Sequence, residues 1–172
     1  MLITRPAPSE YFSYYDTYVS KVPGNDLLSA LLENRDTFSS FIKSIPADKL
    51  DYRYTENKWT VKEVIVHLTD AERIFAYRAL RFARNDKTGL SGFDENDYVP
   101  QSNAASQTAE SLLEEFHSVR HASITLFKSF TPEMSLRNGH ANGKEISVRA
   151  LGYIIVGHTT HHMQTIHERY LN

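Results

Sequence analysis

The amino-acid sequence predicts an all-α fold, a four-helix bundle in which residues 1–172 form a single domain. Three observations predict it. Four long stretches carry apolar residues at the 3.6-residue period of a core-facing helix. Capping residues and prolines mark where those stretches start and stop. Strand signals are weak throughout.

The first 25 residues hold Pro6, Pro8, Pro23 and Gly24, leaving room for a short helix after Ser9 whose tyrosines and Phe12 cover a core edge. The first long helix is expected to begin at Asn25, a favourable N-cap. It carries Leu27, Leu28, Leu31, Leu32, Phe38, Phe41, Ile42 and Ile45 inward until Pro46 stops it. The second has the clearest start in the chain: Thr60 and Glu63 have the spacing of a capping box, with Trp59 and Val64 at the staple positions. Its apolar side runs through Leu68, Ile74, Phe75 and Leu80 and fades near Arg84. Residues 85–105 are rich in Gly, Asp, Asn and Ser, and a loop of that length is usually functional or mobile. The third helix is expected over 107–130, with Leu112, Leu113, Phe116, Val119, Ile124 and Phe127 inward. Pro132 and the cluster Asn138-Gly139-His140-Ala141-Asn142-Gly143 break the chain. The fourth helix starts at Ser147 and runs almost to the end.

The second and fourth helices begin alike. Trp59-Thr60-Val61-Lys62-Glu63-Val64 and Ile146-Ser147-Val148-Arg149-Ala150-Leu151 share an apolar staple, a hydroxyl cap, Val, a basic residue and a second apolar position. Counting from the two caps, His67 lies seven residues in, His158 eleven and His162 fifteen. At about 100° per residue, His67 and His158 point in nearly the same direction from their caps, and His162 stands one turn beyond His158. The i,i+4 pair on the fourth helix is the spacing that lets two imidazoles clasp a metal ion. His67 offers a third nitrogen if the two faces meet, and three neutral ligands leave a coordination position open, as catalytic zinc sites do. The spacing also admits His158 with His161. A second i,i+4 pair, His117 and His121, has no local support as ligands and reads as surface or inter-helix residues; His140 reads as a solvated turn residue.

Composition narrows the chemistry. There are 19 basic and 21 acidic residues, without the basic surplus expected of a nucleic-acid partner. No apolar run approaches the roughly 20 residues that cross a bilayer, and the N-terminal residues lack a signal-peptide stretch, so a cytoplasmic protein is expected. Cysteine is absent, which excludes disulfides, thiolate ligands and a cysteine nucleophile.

The segment Lys58-Trp59-Thr60-Val61-Lys62-Glu63-Val64-Ile65-Val66-His67-Leu68 resembles one signature of the DinB-like (DinB/YfiT) superfamily of metalloenzymes, and Gly157-His158-Thr159-Thr160-His161-His162-Met163-Gln164 resembles a second. Gly92-Phe93-Asp94-Glu95-Asn96-Asp97-Tyr98 is similar to the loop after the second helix in one branch of that superfamily. The resemblance covers most of the chain in order. It implies a four-helix bundle of DinB/YfiT type with a metal held between helices by His67, His158 and His162, and so favours His162 over His161. It also implies a divalent transition metal, zinc or nickel before others, and in many members a homodimer.

Some branches use a low-molecular-weight thiol such as bacillithiol, mycothiol or glutathione. The expected activity is therefore metal-dependent transfer of such a thiol to an electrophilic small-molecule substrate. A metal-dependent hydrolase and a non-catalytic metal-binding stress-response protein are the alternatives. Asp70 and Glu63, one turn either side of His67, are candidates to orient an imidazole, although Glu63 is already committed to the cap. The 85–105 loop is expected to cover the pocket, with Tyr98 as its inward-reaching residue. No catalytic or thiol-binding residue is assigned.

Overall fold

The computed structural model describes residues 2–172. The short helix α1 (Asp16–Val19) follows two 3₁₀ turns, at Pro8–Glu10 and Ser13–Tyr15. The four long helices are α2 (Leu27–Ser44), α3 (Val61–Ala83), α5 (Ala109–Lys128) and α7 (Val148–Tyr170). Two small helices, α4 (Glu95–Tyr98) and α6 (Pro132–Leu136), lie in the connections. The hairpin β1 (Asn138–Ala141) and β2 (Lys144–Ser147) leads directly into α7. Helix α3 packs against α7 and α5, α2 packs against the same two, and α1 lies on α7. That closes a four-helix ring. Among the described residues no helix is long and apolar enough to cross a membrane.

The helix starts follow their side chains. Thr60 Oγ1 accepts from the Glu63 backbone N–H at 3.1 Å, and the Thr60 N–H donates to Glu63 Oε2 at 2.7 Å, which completes the expected capping box. Ser147 Oγ caps α7 through the Ala150 N–H. Two boundaries shift. Asp26 caps α2 instead of Asn25, whose side chain accepts from the Arg5 N–H. Thr108 caps α5, so that helix covers Ala109–Lys128 and not 107–130. On the expected stripes, Leu32 is exposed, and Leu28, Ile74, Leu80 and Val119 are only partly covered.

Where the sequence predicts only a turn cluster over 138–143, the chain forms a hairpin. Asn142 and Gly143 have φ of 52° and 70°, the two positive values of a two-residue hairpin turn, and Ala141 pairs with Lys144 across it. The backbone N–H groups of Leu90 and Asn142 donate to His140 O and Leu90 O, tying the 85–105 loop to the hairpin.

The apolar core falls into two clusters. One holds Leu27, Leu31, Phe75, Phe82, Phe127 and the first half of α7; the other holds Phe38, Ile42, Val61, Ile65, Phe116 and Ile166. Between them runs a polar layer to which all four long helices contribute. Arg120 of α5 is fully buried, and its Nε donates to both Glu72 oxygens of α3 at 2.9 and 3.0 Å. Its Nη1 donates to Leu31 O and Asn34 Oδ1 of α2, and its Nη2 to Thr159 Oγ1 of α7. Burying a charge is costly unless it is paired and hydrogen-bonded, and here every guanidinium nitrogen has a partner.

Candidate metal centre and pocket

His67 and His158 are buried in the same polar layer, and His162 is partly covered beside them. The Nε2 atoms of His67 and of His162 each lie 3.1 Å from Nε2 of His158. All three residues can offer ligand atoms within 4.8 Å of one another. Around a tetrahedral zinc with Zn–N bonds of about 2.0–2.1 Å, neighbouring ligand nitrogens stand about 3.3–3.4 Å apart. The convergence fits one transition-metal ion with room for a further ligand.

Burial also sets the right protonation state. Removal from water lowers the His67 pKa to about 4 and, with the neighbouring His67 and His161, that of His162 to about 3. Burial, then the other histidines, holds His158 well below the ordinary value. Each imidazole, neutral at pH 7, keeps one ring nitrogen with a free lone pair for a metal.

The other expected participants lie elsewhere. His161 is partly buried, with its ring 5.4 Å from that of Tyr18, and stands outside the cluster of three. His117 accepts or donates at 2.7 Å to Ser39 Oγ, an inter-helix contact, while His121 and His140 are exposed. Asp70 receives a hydrogen bond from Arg73 and none from an imidazole, and burial raises its pKa. Glu63 serves the cap and Arg53. Neither carboxylate orients a histidine. Tyr98 is 48% exposed and packs on Phe93 at 5.4 Å; it is Phe93, with Gly92 and Glu95, that the loop contributes to the pocket.

That pocket has a volume of about 460 Å³, and the three histidines form part of its wall. Trp59, Tyr15, Tyr18, Phe75 and Phe93 supply its aromatic surface. Trp59 lies 4.8 Å from the His67 ring and Tyr18 5.0 Å from the His158 ring, centroid to centroid. A glycine permits the second contact: a Cβ on Gly157 would stand 2.0 Å from the Tyr18 carbonyl oxygen. The residue before His158 is thus what lets α1 approach α7 closely enough to roof the site.

The sequence profile of the DinB superfamily matches residues 30–166, a span that includes all three histidines. The chain belongs to the DinB superfamily. Three solved structures share the fold. YfiT from Bacillus subtilis, described as "a probable metal-dependent hydrolase with an unusual four-helix bundle topology", superposes with a TM-score of 0.74 at 18% identity, over 83% of this chain and 82% of that one. A mycothiol-dependent maleylpyruvate isomerase superposes with a TM-score of 0.66 at 10% identity, over 80% of this chain but only 58% of the isomerase. The DinB-like protein YjoA from Bacillus subtilis gives 0.59 at 17% identity, over 83% and 87%. No curated protein matches the chain significantly.

Proposed function

We propose that this protein is a metal-dependent enzyme that transfers a low-molecular-weight thiol to an electrophilic small molecule, with His67, His158 and His162 as the metal ligands. The observation that carries the reading is the convergence of three burial-neutralised imidazoles on the wall of an aromatic pocket. A divalent ion held there by the three imidazoles, zinc or nickel, would supply Lewis acidity that lowers the pKa of a thiol. The chain has no cysteine, so the sulfur nucleophile arrives with the co-substrate. The residues supply the rest: the imidazoles would hold the ion, while Trp59, Tyr18, Phe75 and Phe93 give the electrophile an apolar surface. No carboxylate among the described residues hydrogen-bonds to the three histidines, and Glu95 is the only one lining the pocket. Thiol transfer needs no general base once the thiol is deprotonated, and the mycothiol dependence of one similar structure supports the class.

The test is an assay of the zinc- or nickel-loaded protein with bacillithiol, mycothiol or glutathione and monochlorobimane. Sulfur displaces chloride, the C–S bond forms as the C–Cl bond breaks, and the thiol proton passes to solvent. Fluorescent product should form with one of the thiols and vanish on chelation and in His158→Ala. Absence of metal-dependent product with all three thiols rejects the reading. Glu95 favours one alternative, a hydrolase in which that carboxylate is the base. It requires thiol-independent, metal-dependent hydrolysis of an ester such as p-nitrophenyl acetate, lost in Glu95→Gln.

A further inference from the structure

Two arginines are buried in this bundle, and they are treated differently. Arg120 has a carboxylate and three further acceptors inside the protein. Arg78 is only 4% exposed, yet no described carboxylate lies within ion-pair reach of it. Its Nη2 donates to Ser91 O at 2.8 Å, and the guanidinium stands 5.8 Å from the centre of the Phe75 ring and 6.0 Å from that of Phe93. Only Ser91 O accepts from the fork, and because no fully buried side-chain nitrogen among the described residues lacks a partner, the remaining N–H groups open into the pocket's solvent. A largely covered cation with no counter-ion is costly, and aromatic faces offset only part of that cost. Arg78 also lines the same pocket as the histidines.

Its position is set by the helix. Arg78 is eleven residues past His67 on α3, about three turns, so the two side chains leave the helix within roughly 20° of each other and about 16 Å apart along the axis. Ala71 and Phe75 lie between them in height, about 40° and 80° round the helix from His67, and also line the pocket. The cleft therefore has a three-histidine end, an aromatic middle and a guanidinium end. Lys144, on β2, adds a second cation to its lining against the single carboxylate of Glu95.

We propose that Arg78 is a specificity-determining residue that receives the carboxylate of an extended, partly apolar ligand, whose other end reaches the three histidines. The guanidinium fork matches a carboxylate with two parallel hydrogen bonds, and the Phe75 and Phe93 rings flank it at the outer reach of a cation–π contact. The inference rests on the reading of this pocket as the reaction cleft, but it is tested by binding alone, without thiol or turnover.

The sole tryptophan, Trp59, lines the cleft and reports occupancy by fluorescence. Titration with 4-phenylbutyrate and with its uncharged analogue 4-phenylbutanamide, on metal-free and zinc-loaded protein, compares the same apolar body with and without charge. The carboxylate should bind at least about tenfold tighter in both forms, the effect of one well-formed charge-assisted pair. Arg78→Gln should abolish that preference and leave amide affinity and zinc content unchanged. Arg78→Lys, which keeps the charge without the fork, should retain part of it and serves if the Gln variant does not fold. Equal affinity for acid and amide in the native protein overturns the proposal. So does a preference that appears only with zinc and survives Arg78→Gln, because the carboxylate is then bound at the metal. Failure of the bimane assay with this preference intact would remove the thiol chemistry and leave Arg78 as an anion site.

Discussion

At the scale of single residues, the histidines make a pH-dependent contribution that can be measured on metal-free protein. In the unfolded chain each imidazole takes up a proton as pH falls through about 6.5. In the folded protein His67 resists until about pH 4 and His162 until about pH 3. The unfolded state therefore binds more protons in between, so stability is full above about pH 6.5 and declines as pH drops toward 4. Lowering His67 from 6.5 to about 4 corresponds on its own to on the order of 3 kcal/mol. Thermal melts of chelator-treated protein at pH 7.5, 6 and 5 should show Tm falling steadily; a flat profile would mean that the imidazoles are solvated. Two matching caps gave a common origin for counting that puts His67 and His158 on corresponding faces, but spacing admits His161 as well as His162, and only the resemblance to the DinB-like signatures favours His162. Asp70 was not placed correctly by that count. Three residues past His67 is about 60° round the helix, and there Arg73, which also donates to Glu115, donates to it instead. Arg78, Glu72 and Arg120 escaped notice because charged residues are read as the outside of a helix. Their register was the available signal: Glu72 falls between Leu68 and Phe75, and Arg120 between Phe116 and Ile124, all buried.

Single elements carry two further expectations. Glu72→Gln leaves a fully buried guanidinium without its carboxylate and should cost about 3–5 kcal/mol in denaturant unfolding. The double variant Glu72→Met with Arg120→Met should recover most of that loss, since an apolar pair of similar volume removes both charges. Equal destabilisation by the single and the double change would show that packing, and not the charge, sets the cost. The second expectation concerns the contact between α1 and α7. Gly157→Ala puts a methyl 2.0 Å from the Tyr18 carbonyl, so α1 must lift from the site. Residues before Leu27 should then become susceptible to limited proteolysis while α7 stays protected; unchanged proteolysis would mean that the approach is not as close as described. The hairpin illustrates why some elements were not legible. Its strands have four residues each and no apolar alternation, so the Asn142-Gly143 pair, with positive φ at both positions, was their only signature. The long helices were legible because their caps and apolar stripes agree.

For the whole molecule, the arrangement is two apolar half-cores separated by one polar layer, with the histidines in that layer and a cleft that runs from them along α3 to Arg78. The N-terminal turns, the 85–105 loop and the hairpin together close a pocket that the four helices alone would leave open. The proposed chemistry depends on a metal at the three histidines. Elemental analysis of purified, metal-reconstituted protein tests it most directly, with far-UV circular dichroism to verify the fold of each variant. About one equivalent of zinc or nickel per chain is predicted for the native protein and for His161→Ala, and near zero for folded His67→Ala, His158→Ala and His162→Ala. No bound metal in the native protein, or full occupancy in folded variants lacking any one of those three imidazoles, would contradict it.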